Sequence, residues 1–137
     1  MEDLLEFGRQ ALAAQPFSVL VGAELLSFTS GRAELRVPIA ERLKQQYGFV
    51  HGGVIAYLAD NALTFAGGSV LGPAVVSSEF KINYLRPGLG EALVARAEVV
   101  HYGKTQAVCR CDIFVLKENQ KILCATAQGT INKMKDE

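Results

Sequence analysis

From Gly52 to Val76 the chain reads GGVIAYLADNALTFAGGSVLGPAVV, and Asp60 is the one formally charged residue in it. A segment this apolar must leave water, either into a bilayer or into a protein core. Its length permits a membrane span. The mid-span aspartate opposes one, costing roughly 2.5–3.5 kcal/mol on insertion scales, and Asn61, the glycines and Pro73 add to that. The expectation is therefore a buried helix of a soluble protein. Asp60 lies about two turns inside that helix, too deep to cap it. A carboxylate away from water is costly unless paired or hydrogen-bonded. Either Asp60 is structural, bonded to backbone or to Asn61 or Thr64, or it carries chemistry. Ala56, Tyr57, Leu63 and Thr64 share its face by the three-and-four rule.

With 137 residues, half of them hydrophobic and a fifth charged, the chain is expected to form a single domain, residues 1–137 with a core of about 17–133. Lysine plus arginine equals aspartate plus glutamate, 14 each. That balance offers no electrostatic case for nucleic-acid or membrane partners. Three cysteines without scaffold spacing fit a reducing, cytoplasmic setting. The acidic start MEDLLEF does not read as a signal peptide.

Around the apolar helix the pattern is α+β. Leu4, Leu5, Phe7, Ala11 and Leu12 recur at roughly helical spacing, and Pro16 closes that short helix. Ser18 to Phe28 reads as strand-like, TSG as a turn, and RAELRVP alternates as a half-buried strand. Four further strands follow the apolar helix. Phe80, Ile82 and Tyr84 share a face of the first; Leu93, Ala95, Ala97 and Val99 share one of the second. HYGK reads as the next turn. Ala107, Cys109, Cys111, Ile113 and Val115 line the third strand, and KENQ turns into the last. Short links imply antiparallel neighbours. The expected architecture is an antiparallel sheet wrapped around one long buried central helix and covering it on every side, with a short N-terminal helix outside.

HGG, His51 to Gly53, precedes the helix. Two glycines there present backbone N–H groups without intrahelical partners, open to a close-approaching oxyanion. A tight turn alone would also account for them. Gly53 and Asp60 are about 10 Å apart along a helix, whereas one reacting carbon must lie about 3 Å from both. Two antiparallel copies would bring Asp60 of one protomer beside Gly53 of the other, so a homodimer with two shared sites is expected.

YGFVHGGVIAYLADNA, followed by INYLRPGLGEALVARAEVVHYGKTQAV, resembles the hotdog-fold thioesterases of the phenylacetic-acid-degradation, PaaI-like group. The resemblance runs from about Leu43 to Ile131. It implies an acyl-CoA thioesterase acting on an aromatic or medium- to long-chain acyl group. Asp60 matches the catalytic base or nucleophile, Gly53 the backbone donor to the thioester carbonyl, and His51 the motif histidine that shapes the loop. Gln45 stands where many members carry asparagine, and Ser77 where some place a hydroxyl near the attacking water. Gly52, Tyr57 and Thr64 fall in the substrate-contact region; Arg86, Lys104 and Thr105 fall where relatives hold the coenzyme A nucleotide and phosphates. The resemblance further implies a homotetramer built from two dimers, with neither a metal nor a separate cofactor. Two other activities stay open within this fold, a non-catalytic acyl-CoA sensor and an enoyl-CoA hydratase. No G-x-S-x-G motif is present, and two histidines, His51 and His101, make a triad or zinc site unexpected.

Overall fold

A computed structural model describes residues 3–135. Helix α1 (Leu4–Ala13) begins on Asp3, whose side chain accepts the Leu5 N–H at 3.1 Å. A second helix, α2 (Pro16–Val21), replaces the first half of the expected Ser18–Phe28 strand. Pro16 closes the first helix and opens the second, because its fixed φ suits the first helical position and its missing N–H is not needed there. Gly22 ends α2 in the left-handed region, φ +88°, and donates to the Ser18 carbonyl.

Strands β1 (Glu24–Thr29) and β2 (Arg32–Pro38) form the first hairpin. A 3₁₀ turn, Glu41–Leu43, leads to α3 (Gly52–Leu71). Then come β3 (Val75–Tyr84), β4 (Ala92–Tyr102), β5 (Gln106–Lys117) and β6 (Gln120–Lys133). His101 and Tyr102 continue β4, so the expected HYGK turn is confined to residues 103–105. All six strands belong to one antiparallel sheet in the order β1-β2-β4-β5-β6-β3, which leaves β1 and β3 at its edges. Glu118 and Asn119 take positive φ, 50° and 65°, in the two-residue turn between β5 and β6.

The sheet curls around α3 and buries Leu58, Ala59, Ala62, Leu63 and Ala66 against Leu35, Leu93, Ile113 and Ile131. Gly67 permits the closest approach: a Cβ there would lie 2.7 Å from the Ile131 Cβ. This burial is why a helix apolar enough to cross a membrane serves here as a core helix. The cover is one-sided, however. Ala56, Tyr57, Asp60, Asn61, Thr64 and Gly68 form a half-exposed stripe along α3. Asp60 is accordingly half-buried rather than buried, since one concave sheet face cannot enclose a whole helix.

Candidate active site

The loop before α3 is a small hairpin held to its surroundings by backbone bonds. Lys44 bridges Val50, Gln45 N–H donates to the Phe49 carbonyl, His51 N–H to Leu43, and Val50 N–H to Gly88. His51 then caps the helix. Its backbone is extended (φ −60°, ψ 134°), and its Nδ1 accepts the Gly53 N–H at 2.8 Å. An acceptor at Nδ1 places the ring proton on Nε2.

That bond occupies the amide that the sequence singles out as a donor. Gly53 N–H, the expected donor, is engaged by His51, and Val54 N–H is engaged by the His51 carbonyl. Gly52 N–H, at the first helical position, has no hydrogen-bond partner among the described residues. The Gly52 carbonyl accepts from Tyr84 Oη at 3.1 Å, and the Tyr84 ring lies about 3.5 Å from where a Gly52 Cβ would stand. Tyr84, which the sequence places on one face of β3 with Phe80 and Ile82 and does not single out, thus adjoins the helix start and is 52% exposed. Beside Gly52 and Tyr84 lies a cavity of about 360 Å³, with Phe49, Ile55 and Arg86 in its walls.

Asp60 lies eight residues further along α3, about 12 Å from Gly52 at 1.5 Å per residue. Thr64 is its polar neighbour: Thr64 Oγ1 is 2.8 Å from the Asp60 carbonyl oxygen and 3.4 Å from Oδ1. Asn61 turns away from Asp60. Its Nδ2 faces Gln15 Oε1 at 3.1 Å, Tyr57 Oη at 3.1 Å and Ser18 Oγ at 3.3 Å. Tyr57 donates its hydroxyl hydrogen to Ser18 and meets Phe17 edge-on, ring centroids 5.1 Å apart. Ser18 and Gln15, which complete this cluster, had no sequence motif to mark them.

Within one chain the remaining residues stay apart. The Gln45 side chain accepts the Tyr47 N–H, tightening its own turn instead of reaching Asp60. Ser77 precedes a bulge in β3, paired with Ile131, and no hydrogen bond joins it to Asp60 among the described residues. Arg86 follows the Tyr84 end of β3, whereas Lys104 and Thr105 adjoin the Val75 end, where Lys133 N–H donates to the Thr105 carbonyl. Nine strand residues at about 3.3 Å each put these two groups on the order of 30 Å apart.

The comparisons with known proteins agree with this geometry. The family model described as the thioesterase superfamily matches residues 47–122. The acyl-coenzyme A thioesterase PaaI of Escherichia coli is 34% identical over 102 residues, covering 74% of this chain and 71% of that protein. The 1,4-dihydroxy-2-naphthoyl-CoA hydrolase of Listeria monocytogenes is 30% identical over 106 residues, 76% and 85% of the two chains. Among solved structures, a thioesterase family protein from Silicibacter pomeroyi superposes with a TM-score of 0.90 at 32% identity, covering 95% of this chain and 97% of that one. The E. coli PaaI structure superposes with a TM-score of 0.85 at 26% identity, over 96% and 94%. With a six-stranded sheet curled around one long helix and HGG at the helix start, the chain belongs to the thioesterase superfamily: it is a PaaI-like thioester hydrolase of the hotdog fold.

Proposed function

We propose that the protein hydrolyses acyl-CoA thioesters at a site shared by two protomers. The observation that carries this reading is the pairing of a half-buried carboxylate, Asp60, with an unpartnered amide, Gly52 N–H, at the start of the same helix. About 12 Å separates them, too far for one carbonyl in one chain. Two helices packed antiparallel bring each Asp60 beside the partner's Gly52. The free edge of β3 suits such a dimer, because an unpaired strand edge is satisfied by pairing with its own copy.

In that arrangement the thioester carbonyl oxygen accepts the Gly52 N–H, and the positive end of α3 favours the charge that develops there. Asp60 acts on the carbonyl carbon by one of two routes. It takes a proton from a water that adds to the carbon, or it adds directly to give a mixed anhydride that water then opens. Either way the C–S bond breaks, the thiolate is protonated, and the free acid and coenzyme A leave. His51 holds the loop through Gly53 rather than serving as base. In this reading Gln45 and Ser77, which make no hydrogen bond to Asp60 within one chain among the described residues, act across the protomer boundary. Arg86 from one end of the sheet and Lys104 with Thr105 from the other meet on one coenzyme A nucleotide only if two chains contribute them. Dimers pair further into a tetramer, and the cytoplasm is the setting.

Release of free thiol from a panel of acyl-CoAs tests the reading. Wild type turns over at least one acyl-CoA, and Asp60→Asn lowers that turnover at least about a hundredfold while keeping its thermal unfolding midpoint. Saturable binding without thiol release would identify a sensor instead, and loss of enoyl absorbance a hydratase.

A further inference from the structure

The carbonyl of Gly52 has a partner from across the fold. Tyr84 Oη donates to it at 3.1 Å, over 32 positions of sequence. The ring edge also packs on Gly52, with Cε1 3.5 Å and Oη 3.6 Å from where a Cβ would stand. Tyr84 itself is anchored. As the last residue of β3 it pairs with Ala125 of β6, and the next two amides, Leu85 and Arg86, donate to the Cys124 carbonyl at 2.8 and 3.2 Å. A paired strand thus holds the hydroxyl at a fixed place beside the helix start. Core packing does not account for this ring. Phe80 and Ile82, on the same face, pack against the core, whereas Tyr84 is 52% exposed.

We propose that Tyr84 is a positioning residue for thioester hydrolysis, clamping the peptide against which the open Gly52 amide turns. The proposal rests on the thioesterase reading and on Gly52 N–H as the donor to the carbonyl oxygen. Two peptide planes meet at Gly52. The first carries the open N–H, and its carbonyl, that of His51, accepts the Val54 N–H at 2.9 Å. The second is gripped at both ends: its N–H by His51 Nδ1 at 2.8 Å, its carbonyl by Tyr84. Between the planes stands a residue without Cβ, whose φ and ψ range more widely than those of any other type. Releasing the second plane lets the two rock about Gly52, and the open N–H loses its direction. An oxyanion donor acts through that direction, because it must need no reorganisation as charge develops. Tyr84 supports the other grip as well. A donor on the carbonyl of an amide polarises it and strengthens the bond its own N–H makes, here the bond to His51.

The chemistry sets both the size and the place of the effect. Phenylalanine at position 84 keeps the ring against Gly52 and removes only the hydroxyl. One hydrogen bond of this kind is worth about fivefold in rate, well short of the roughly 10²–10³ carried by an oxyanion donor itself. The loss falls on kcat, since the clamp directs a bond that strengthens only as negative charge builds on the carbonyl oxygen. Where proline at position 52 has removed the amide, there is nothing left to direct, and the hydroxyl becomes irrelevant to rate.

The experiment measures kcat and KM for thiol release, with thermal unfolding midpoints, in wild type, Tyr84→Phe, Gly52→Pro and the double variant. The substrate is whichever of acetyl-, octanoyl-, phenylacetyl- and palmitoyl-CoA the wild type turns over fastest. Tyr84→Phe lowers kcat about fivefold, with KM within about twofold and the midpoint of wild type. In the Gly52→Pro background the same substitution changes kcat by less than about twofold. A merely structural Tyr84 would lower the midpoint in both backgrounds at unchanged kcat per folded molecule, and that result overturns the positioning role. An equal loss of kcat in both backgrounds means that the hydroxyl touches substrate directly, which overturns it too. If Gly52→Pro does not fold, the split between kcat and KM in Tyr84→Phe decides, a rise in KM at unchanged kcat overturning the clamp. Wild-type kcat and KM in Tyr84→Phe overturn the clamp alone and leave the thioesterase standing. Wild-type kcat in Gly52→Pro overturns the donor and the clamp with it, and absence of thiol release from all four substrates overturns the thioesterase reading as well.

Discussion

His51 Nδ1 accepts the Gly53 N–H at 2.8 Å, and this one bond leaves Gly52 rather than Gly53 with an open amide at the helix start. With Gly53 engaged, the open donor at the helix start is Gly52 N–H. Proline at position 52 deletes that donor and little else. It is favoured at the first helical position, and the extended backbone of His51 is what a following proline requires. The space is present too, since a Cβ at Gly52 meets the Tyr84 ring at ordinary contact distance, 3.5 Å. Gly52→Pro is expected to fold with wild-type stability and to lose about 10²–10³ in kcat, the cost of one oxyanion donor. Thiol-release kinetics beside a thermal melt measure both. Full activity in Gly52→Pro returns the role to Gly53.

Sharing of the site between protomers has its own signature. Asp60→Asn removes the carboxylate and Gly52→Pro removes the donor, so a homodimer of either has two defective sites. A heterodimer of the two has one site with both defects and one intact. Random reassortment makes half the dimers mixed, each with one working site of two, so about a quarter of wild-type activity returns on mixing. The readout is thiol release from the two variants refolded together against each alone. No recovery on mixing means that both groups act within one chain.

Much of this was legible in the sequence for a physical reason. Strands with one face in the core and one in water must alternate, as Ala33, Leu35 and Val37 do against Arg32, Glu34 and Arg36. Helix α2 escaped because six residues are too few to establish a helical period, and Pro16 signals a stop as readily as a start. Asp60 stood out as the lone charge in an apolar run, but its half-exposure depends on how far a curled sheet reaches around a helix. The choice between Gly52 and Gly53 rests on one histidine rotamer, which no spacing encodes. Similarly, the separation of Arg86 from Lys104 follows from strand register, and the tie through Ser18 joins residues 39 and 43 positions apart.

The His51 cap contributes to stability independently of catalysis. His51→Ala leaves Gly53 N–H without its side-chain acceptor and is expected to cost about 1 kcal/mol. Asparagine is a strong N-cap residue whose side-chain oxygen reaches the same amide, so His51→Asn should recover most of that loss. Urea unfolding of the three proteins compares them directly. Equal stability of the alanine and asparagine variants would show that the cap bond contributes nothing.

The cysteines give the last prediction, and it concerns pH. Cys109, Cys111 and Cys124 are free and buried. Burial raises the thiols of Cys109 and Cys124 from 9.0 to about 11. For Cys111 burial, followed by the nearby Asp112 charge, raises the thiol to about 12. The thiolate is the reactive form, so at pH 8 the folded protein should leave all three thiols unlabelled by iodoacetamide, whereas urea exposes three. Between pH 9 and about 11–12 the folded state keeps protons that the unfolded chain releases. Unfolding free energy therefore falls as pH rises through that window, and below it these groups leave stability independent of pH. Unfolding midpoints in urea from pH 7 to 11 follow the trend, and replacing Cys111 by alanine should flatten its alkaline limb. An unchanged slope in that variant would assign the alkaline loss to other groups.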